Sequence, residues 1–181
     1  MALTRKDRIR EAMLNKTFIR FESPFEPGYR RGYVLRMGET FFLFAVVTDA
    51  GRFDGFRCVR IQDAKRLGED PYAAFAVAAL RARRESIAKA PRIRLGTVEE
   101  ILLSASKQAP LIVIDCHKRK PGVCWIGKVL SVENGLLSFL EIGPDAMWDK
   151  EPTKYNVKEI TEVGFGGGYE EALHLVGGEP K

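Results

Sequence analysis

Two segments of this chain carry nearly the same pattern of glycine and apolar residues. Residues 32–47 and residues 127–142 align without a gap, and Gly, Val, Leu and Phe recur at the same places in both. Self-similarity of this kind predicts a duplicated structural unit. It constrains the architecture before any single residue is given a role, and it indicates no activity.

Each copy of the predicted unit is a helix followed by short antiparallel strands. The two helices begin at Thr4 and Thr97, each with an acid three residues later, which is typical of a capping box. Asn134-Gly135 predicts a tight hairpin turn between two strands. In the first unit we predict strands at residues 17–22, 30–37, 40–48 and 55–62. In the second unit we predict strands at residues 111–117, 122–132, 136–142 and 154–163. The repeat matches Ile160–Glu162 to Ile61–Asp63.

Two segments fall outside the repeat. A helix is predicted to begin at Asp70-Pro71 and to run through Ala73 to about Ile87; its first part is apolar on all sides, which predicts burial between the two units. The glycines at 164–168 resemble a phosphate loop, but Tyr169 stands where a dinucleotide fingerprint needs glycine. We therefore predict a flexible turn there, after which a helix at 169–176 folds back with Tyr169 and Leu173 as anchors.

The pattern resembles the Sm-like (Hfq-like) small barrel, an SH3-type architecture. The resemblance depends on Gly32-x-Val34 and Gly127-x-Val129 at the start of a long bent strand, on the apolar strand that follows, and on the preceding helix. It implies an α+β, mainly β protein made of two tandem small Sm-like or SH3-like barrels, each preceded by a helix and joined by an apolar linker helix. The expected boundaries are 1–68, 69–94 and 95–181.

The resemblance does not extend to the RNA-binding motifs of that family. Residues 38–40 and 133–135 stand where Sm-like RNA binders carry an Asp- or Asn-bearing loop, and residues 62–64 and 161–163 lack the basic signature near the fourth strand. The scaffold is therefore expected without the family's RNA pocket.

Composition indicates the cellular compartment in which the protein is expected. Three cysteines are fewer than a disulfide framework needs, and the N-terminus leads into no apolar signal core. No apolar run reaches the roughly 20 residues that span a bilayer. We expect a cytoplasmic protein that does not bind membranes. The net charge of +5 favours polyanionic partners without establishing them.

Catalytic and metal-binding patterns are weak. Cys116, His117 and Cys124 supply at most three of the four ligands of a structural zinc site. Glu22 and Asp115 occupy equivalent strand ends, but symmetric positions in separate barrels need not meet. We expect no catalytic residues, no metal, no cofactor and no enzymatic activity.

The remaining hypotheses are a non-enzymatic binding or regulatory module of unknown activity and an RNA-binding protein. Basic loops with nearby aromatic residues could neutralise phosphates and stack bases. The partner is then RNA or another protein, and homo-oligomerisation is left open. The candidate nucleic-acid-binding residues are Arg30, Arg31, Lys118, Arg119, Lys120 and Trp125.

Overall fold

The computed structural model describes residues 3–86 and 90–181. It combines helices and antiparallel strands. The helices are α1 (Arg5–Asn15), α2 (Ala73–Ala82), α3 (Val98–Ala105) and α4 (Gly168–Gly177). The strands are β1 (Ile19–Glu22), β2 (Tyr29–Met37), β3 (Phe41–Val47), β4 (Phe53–Arg60), β5 (Lys65–Glu69), β6 (Ile112–Asp115), β7 (Cys124–Glu133), β8 (Leu136–Glu141), β9 (Thr153–Asn156) and β10 (Glu162–Phe165).

These strands form one antiparallel ten-stranded sheet in the order β5-β1-β2-β3-β4-β10-β6-β7-β8-β9. The prediction of two tandem small barrels is therefore wrong, because the sheet is continuous and does not close. β10 pairs with β6 of its own unit and also with β4 of the first unit. Barrel closure was expected because it removes exposed strand edges. Joining the two units edge to edge covers one edge of each unit instead.

The two units share one order of strands. The strand order β5-β1-β2-β3-β4 of the first unit repeats as β10-β6-β7-β8-β9 in the second. Gly32 and Gly127 have the same role, since a Cβ atom would lie 1.9 Å from the Ala45 carbonyl oxygen in one unit and 2.1 Å from the Leu140 carbonyl oxygen in the other. An irregularity follows at equivalent places in β2 and β7, at Leu35 and Leu130.

The helix starts follow from their caps. The Thr4 and Asp7 side chains form the predicted capping box of α1. The Thr97 side chain accepts a hydrogen bond from the Glu100 amide at the start of α3. Both helices cover the sheet, and the larger core joins side chains of the two units, including Leu43 of β3.

One strand of the second unit was predicted incorrectly. Residues 154–163 are divided into β9, a 3-10 helix at Val157–Glu159, and β10. The counterpart of the first unit's 3-10 helix, Ile61–Asp63, is therefore Val157–Glu159 and not Ile160–Glu162. The Asn156 side chain accepts a hydrogen bond from the Lys158 amide. This local bond stabilises the turn that interrupts the strand.

Helix α2 differs from the prediction in length and in burial. It ends at Ala82, and Ile87, where the predicted helix ended, lies outside the described residues. Ala76 and Leu80 pack on Phe18 and Val47, all within the first unit, while Phe75 is 65% exposed. The helix therefore buries one face only, and its exposed face is itself mostly apolar, with Ala74, Phe75 and Ala78.

Helix α4 folds back on the second unit as predicted. Leu173 is buried with Leu111 and Ile142, but Tyr169 is exposed and does not anchor the helix. Among the helices of the described residues, none is both long and apolar enough to cross a membrane.

Candidate functional site

Ionisable side chains are buried together at the seam where β4, β10 and β6 join the two units. Glu162 of β10 lies directly opposite Asp115 of β6 in the antiparallel register. His117 follows β6, and the loop between β1 and β2 reaches the same place with Glu26. The seam cluster consists of Glu26, Arg30, Arg57, Asp115, His117, Thr161 and Glu162.

His117 is the most enclosed of these groups, with 1% of its surface exposed. Its Nδ1 lies 2.6 Å from the Thr161 hydroxyl, and that hydroxyl donates its proton to the Asp115 carbonyl oxygen at 2.9 Å. Nδ1 therefore carries the proton and donates to Thr161. The ring stacks on Phe25, with centroids 4.7 Å apart.

The other ring nitrogen of His117 faces two carboxylates. Nε2 lies 3.4 Å from Glu26 Oε1 and 3.8 Å from Asp115 Oδ1. Each of these carboxylates uses its second oxygen for an arginine: Glu26 Oε2 lies 2.6 Å from Arg30, and Asp115 Oδ2 lies 3.4 Å from Arg57. Both side chains are thereby oriented with one oxygen toward His117.

The pKa values of the three groups reflect this arrangement. The hydrogen bond from His117, together with Arg30, lowers the pKa of Glu26 to about 2. Burial, reinforced by the charge of Glu162, raises the pKa of Asp115 to about 6. Burial alone would lower the pKa of His117, but the hydrogen bond to Glu26 and the neighbouring carboxylates raise it above its usual value.

Arg30 and Arg31, predicted to bind nucleic acid, have carboxylate partners within the protein. Arg30 lies between Glu162 and Glu26. Arg31 lies 2.7 Å from Asp49 and 2.9 Å from Asp70. Carboxylates of the protein therefore neutralise most of the charge of both arginines. Arg30 does lie near the basic loop 118–120, because its partner Glu26 contacts His117, the residue that precedes this loop.

The rest of the predicted nucleic-acid set lies after β6 and at the start of β7. Lys118, Arg119 and Lys120 are exposed, and only Arg119 has a carboxylate partner among the described residues, Glu159 at 3.3 Å. Trp125 is half-buried and packs against Tyr155, with ring centroids 5.4 Å apart. The loop lysines remain available to phosphates, whereas the indole is engaged in the core.

The other sequence candidates have structural roles. Glu22 pairs with Arg66 and does not meet Asp115. Gly164 lies inside β10, where a Cβ atom would be 2.5 Å from Nη1 of Arg57. The Gly168 amide donates to Asp54 Oδ1 at 2.9 Å. The glycine segment thus makes room for the Arg57 side chain, and at the start of α4 its Gly168 amide donates a hydrogen bond to a carboxylate of the protein.

Sequence reasoning missed a basic cleft of about 880 Å³. It lies between the end of β2, the segment that precedes α3, and the end of α3. Arg94 lies 3.6 Å from Glu100, but the other three cations form no ion pair with a carboxylate of the described residues. The cations of the basic cleft are Arg36, Arg92, Arg94 and Lys107, and Ser104 and Gln108 add polar groups. Two carboxylates also line it, those of Glu39, which pairs with Lys6, and Glu100, which pairs with Arg94.

The sequence contains a pattern that could have identified two of the four cations of the cleft, Arg92 and Arg94. In residues 91–95, Ile93 and Leu95 are buried, while Arg92 and Arg94, which alternate with them, are exposed. This alternation is typical of an extended segment with one face in the core, and it places both arginines on the other face. No pattern in the sequence indicates that Arg36 of β2 joins them.

Comparison with protein-family models, curated proteins and solved structures finds no match to this chain. The family resemblance to Sm-like proteins therefore stays a prediction.

Proposed function

We propose that this protein is a non-enzymatic binding module whose ligand is RNA, held in the basic cleft by its phosphates. The observation that carries the proposal is the convergence of Arg36, Arg92, Arg94 and Lys107 on one cavity, three of them without a carboxylate partner among the described residues. Like charges brought together repel one another, and a polyanion that neutralises them releases its condensed counterions.

The lining of the cleft indicates how the ligand is recognised. Among the described residues no aromatic side chain lines it, so base stacking does not contribute there. Arginine forks and a lysine suit phosphate oxygens. A single strand can bend into a concave site more readily than a duplex can. We therefore expect binding of single-stranded RNA with little sequence preference.

The exposed loop lysines Lys118 and Lys120 are a separate group that this proposal does not require. The proposal retains the expected cytoplasmic location, and the free thiols of Cys58, Cys116 and Cys124 are compatible with a reducing compartment.

The test is fluorescence anisotropy of a labelled single-stranded RNA titrated with the full chain at several salt concentrations. Replacing Arg92 or Lys107 by Ala should weaken binding and reduce the slope of log K against log salt by about 0.7 for each phosphate that the variant no longer neutralises. Lys154→Ala is the matched control, because Lys154 is exposed on β9 and does not line the cleft.

Three outcomes decide between the alternatives. A loss of affinity confined to the cleft variants supports the proposal. Unchanged binding in those variants, with a loss after Lys118→Ala and Lys120→Ala, would move the site to the loop and contradict the cleft. Absence of RNA binding at low salt would overturn the proposed function altogether.

A further inference from the structure

The seam cluster contains an imbalance of charge that its own residues do not remove when His117 is neutral. Three carboxylates, those of Glu26, Asp115 and Glu162, face two guanidiniums, those of Arg30 and Arg57. One negative charge is therefore left over in a largely buried place. Such a charge is costly unless a cation or proton compensates it.

The hydrogen bonding of His117 shows where that cation belongs. Thr161 fixes the proton on Nδ1, so Nε2 of the neutral ring presents a lone pair. This lone pair faces Glu26 Oε1 at 3.4 Å and Asp115 Oδ1 at 3.8 Å. In this neutral form three acceptors converge without a donor and repel one another. Either a second ring proton, which makes the hydrogen bond from Nε2 to Glu26, or a metal ion between the three atoms removes the repulsion.

We propose that Glu26 Oε1, Asp115 Oδ1 and His117 Nε2 bind a divalent transition-metal ion of the Zn²⁺ type. The three donor atoms lie within 4.8 Å of one another. A tetrahedral ion with bonds of about 2.0–2.1 Å places its ligands roughly 3.3 Å apart. The His117–Glu26 separation of 3.4 Å already fits, whereas Asp115 Oδ1, at 3.8 Å from Nε2, must move closer when the ion binds.

The surroundings are those of an oriented metal site. Thr161 holds the imidazole through Nδ1, as the outer partners of metal-bound histidines do. Arg30 and Arg57 hold the second oxygens of the two carboxylates, which leaves Oε1 and Oδ1 free to coordinate. Glu26 is 37% exposed at the side chain, so one side of the site is open to solvent. Water can complete the coordination there.

The donor atoms of this site differ from those of the zinc site considered in the sequence, which used Cys116, His117 and Cys124. One imidazole and two carboxylates suit Zn²⁺ and its neighbours among the first-row metals. Cys124 lies opposite Asp115 in the β6–β7 pair but belongs to no metal-ligating group of the described residues. Because its exposed thiol can bind zinc on its own, the Cys124→Ser variant must retain Zn²⁺ binding if the proposed ligands are correct.

The test uses the full chain, freed of metal by chelator and titrated calorimetrically with Zn²⁺. We expect about one ion to bind per chain, and Glu26→Gln to lower the affinity at least tenfold. Glu22→Gln is the matched control, because Glu22 ends β1 as Asp115 ends β6 and pairs only with Arg66 among the described residues. Circular dichroism and thermal unfolding of each variant report whether it has folded.

A second readout identifies the ligand directly. Glu26→Cys loaded with Co²⁺ should show a thiolate-to-cobalt absorption band in the near ultraviolet that the unsubstituted protein lacks. Full Zn²⁺ affinity in folded Glu26→Gln, loss of binding in Cys124→Ser, or no saturable binding by the unsubstituted protein would each overturn the site. If the unsubstituted protein shows no saturable binding, a second proton on the His117 ring balances the charge of the carboxylates instead.

Discussion

Glu162 and Asp115 are direct partners across the β10–β6 pair, so two carboxylates face each other at the seam between the duplicated units. Like charges in this position destabilise a sheet. Arg57 lies within reach of both, 3.4 Å from Asp115 Oδ2 and 3.8 Å from Glu162 Oε1, and Arg30 adds a second contact to Glu162. The junction of the two units therefore depends on two arginines from the first unit that neutralise acids of the second.

Gly164→Ala should weaken this junction. The new Cβ would lie 2.5 Å from Nη1 and 2.8 Å from Cζ of Arg57, so the guanidinium must move away from its carboxylates. We expect a loss of about 1–3 kcal/mol in the free energy of unfolding, measured by urea titration. Gly68→Ala is the control, since nothing lies within 4 Å of its added Cβ. Equal effects of the two substitutions would contradict the role given to Gly164.

Arg30→Met should reduce stability without affecting RNA affinity. It leaves Glu162, which is 4% exposed, with one fewer positive neighbour, and breaking a buried pair from one side costs about 3–5 kcal/mol. Chemical denaturation and the anisotropy titration measure the two effects on the same preparation. Weaker RNA binding in folded Arg30→Met would instead support Arg30 as a phosphate ligand, as the sequence suggested.

The three thiols should differ sharply in reactivity. Cys124 is exposed, whereas Cys58 and Cys116 are buried, and burial raises the pKa of Cys116 to about 11. Burial raises the pKa of Cys124 as well, so exposure to the reagent is what distinguishes this thiol, and we expect one fast-reacting thiol in the native protein and three after denaturation. A disulfide-exchange reagent followed by absorbance measures both, and Cys124→Ser should abolish the fast phase. Fast reaction of a second thiol would show that the seam opens readily.

Local signals in the sequence predicted much of each unit. The Thr4 capping box forms as expected. Asn134 and Gly135 both adopt positive φ in the hairpin that joins β7 and β8. Gly32 and Gly127 mark the close approach of neighbouring strands in both units. Each of these features depends on residues that are adjacent along the chain or paired within one hairpin.

The joining of the units could not be predicted in this way. β10 has only four residues, and nothing in them specifies β4 as a neighbour. The basic cleft and the seam cluster likewise depend on distant segments, since Arg36 meets Arg92 and Glu26 meets His117 only after the sheet has formed. A single sequence shows the charges but not which of them tertiary packing brings together.

The position of β10 also determines when the seam can form during synthesis. It follows all other described strands along the chain, yet lies between β4 and β6 in the sheet. Until Phe165 has left the ribosome, both of those strands present open edges, which are the surfaces at which incomplete chains associate wrongly. Completion of the junction is therefore a late step of long-range pairing, and we expect the nascent chain to be most prone to aggregation just before it.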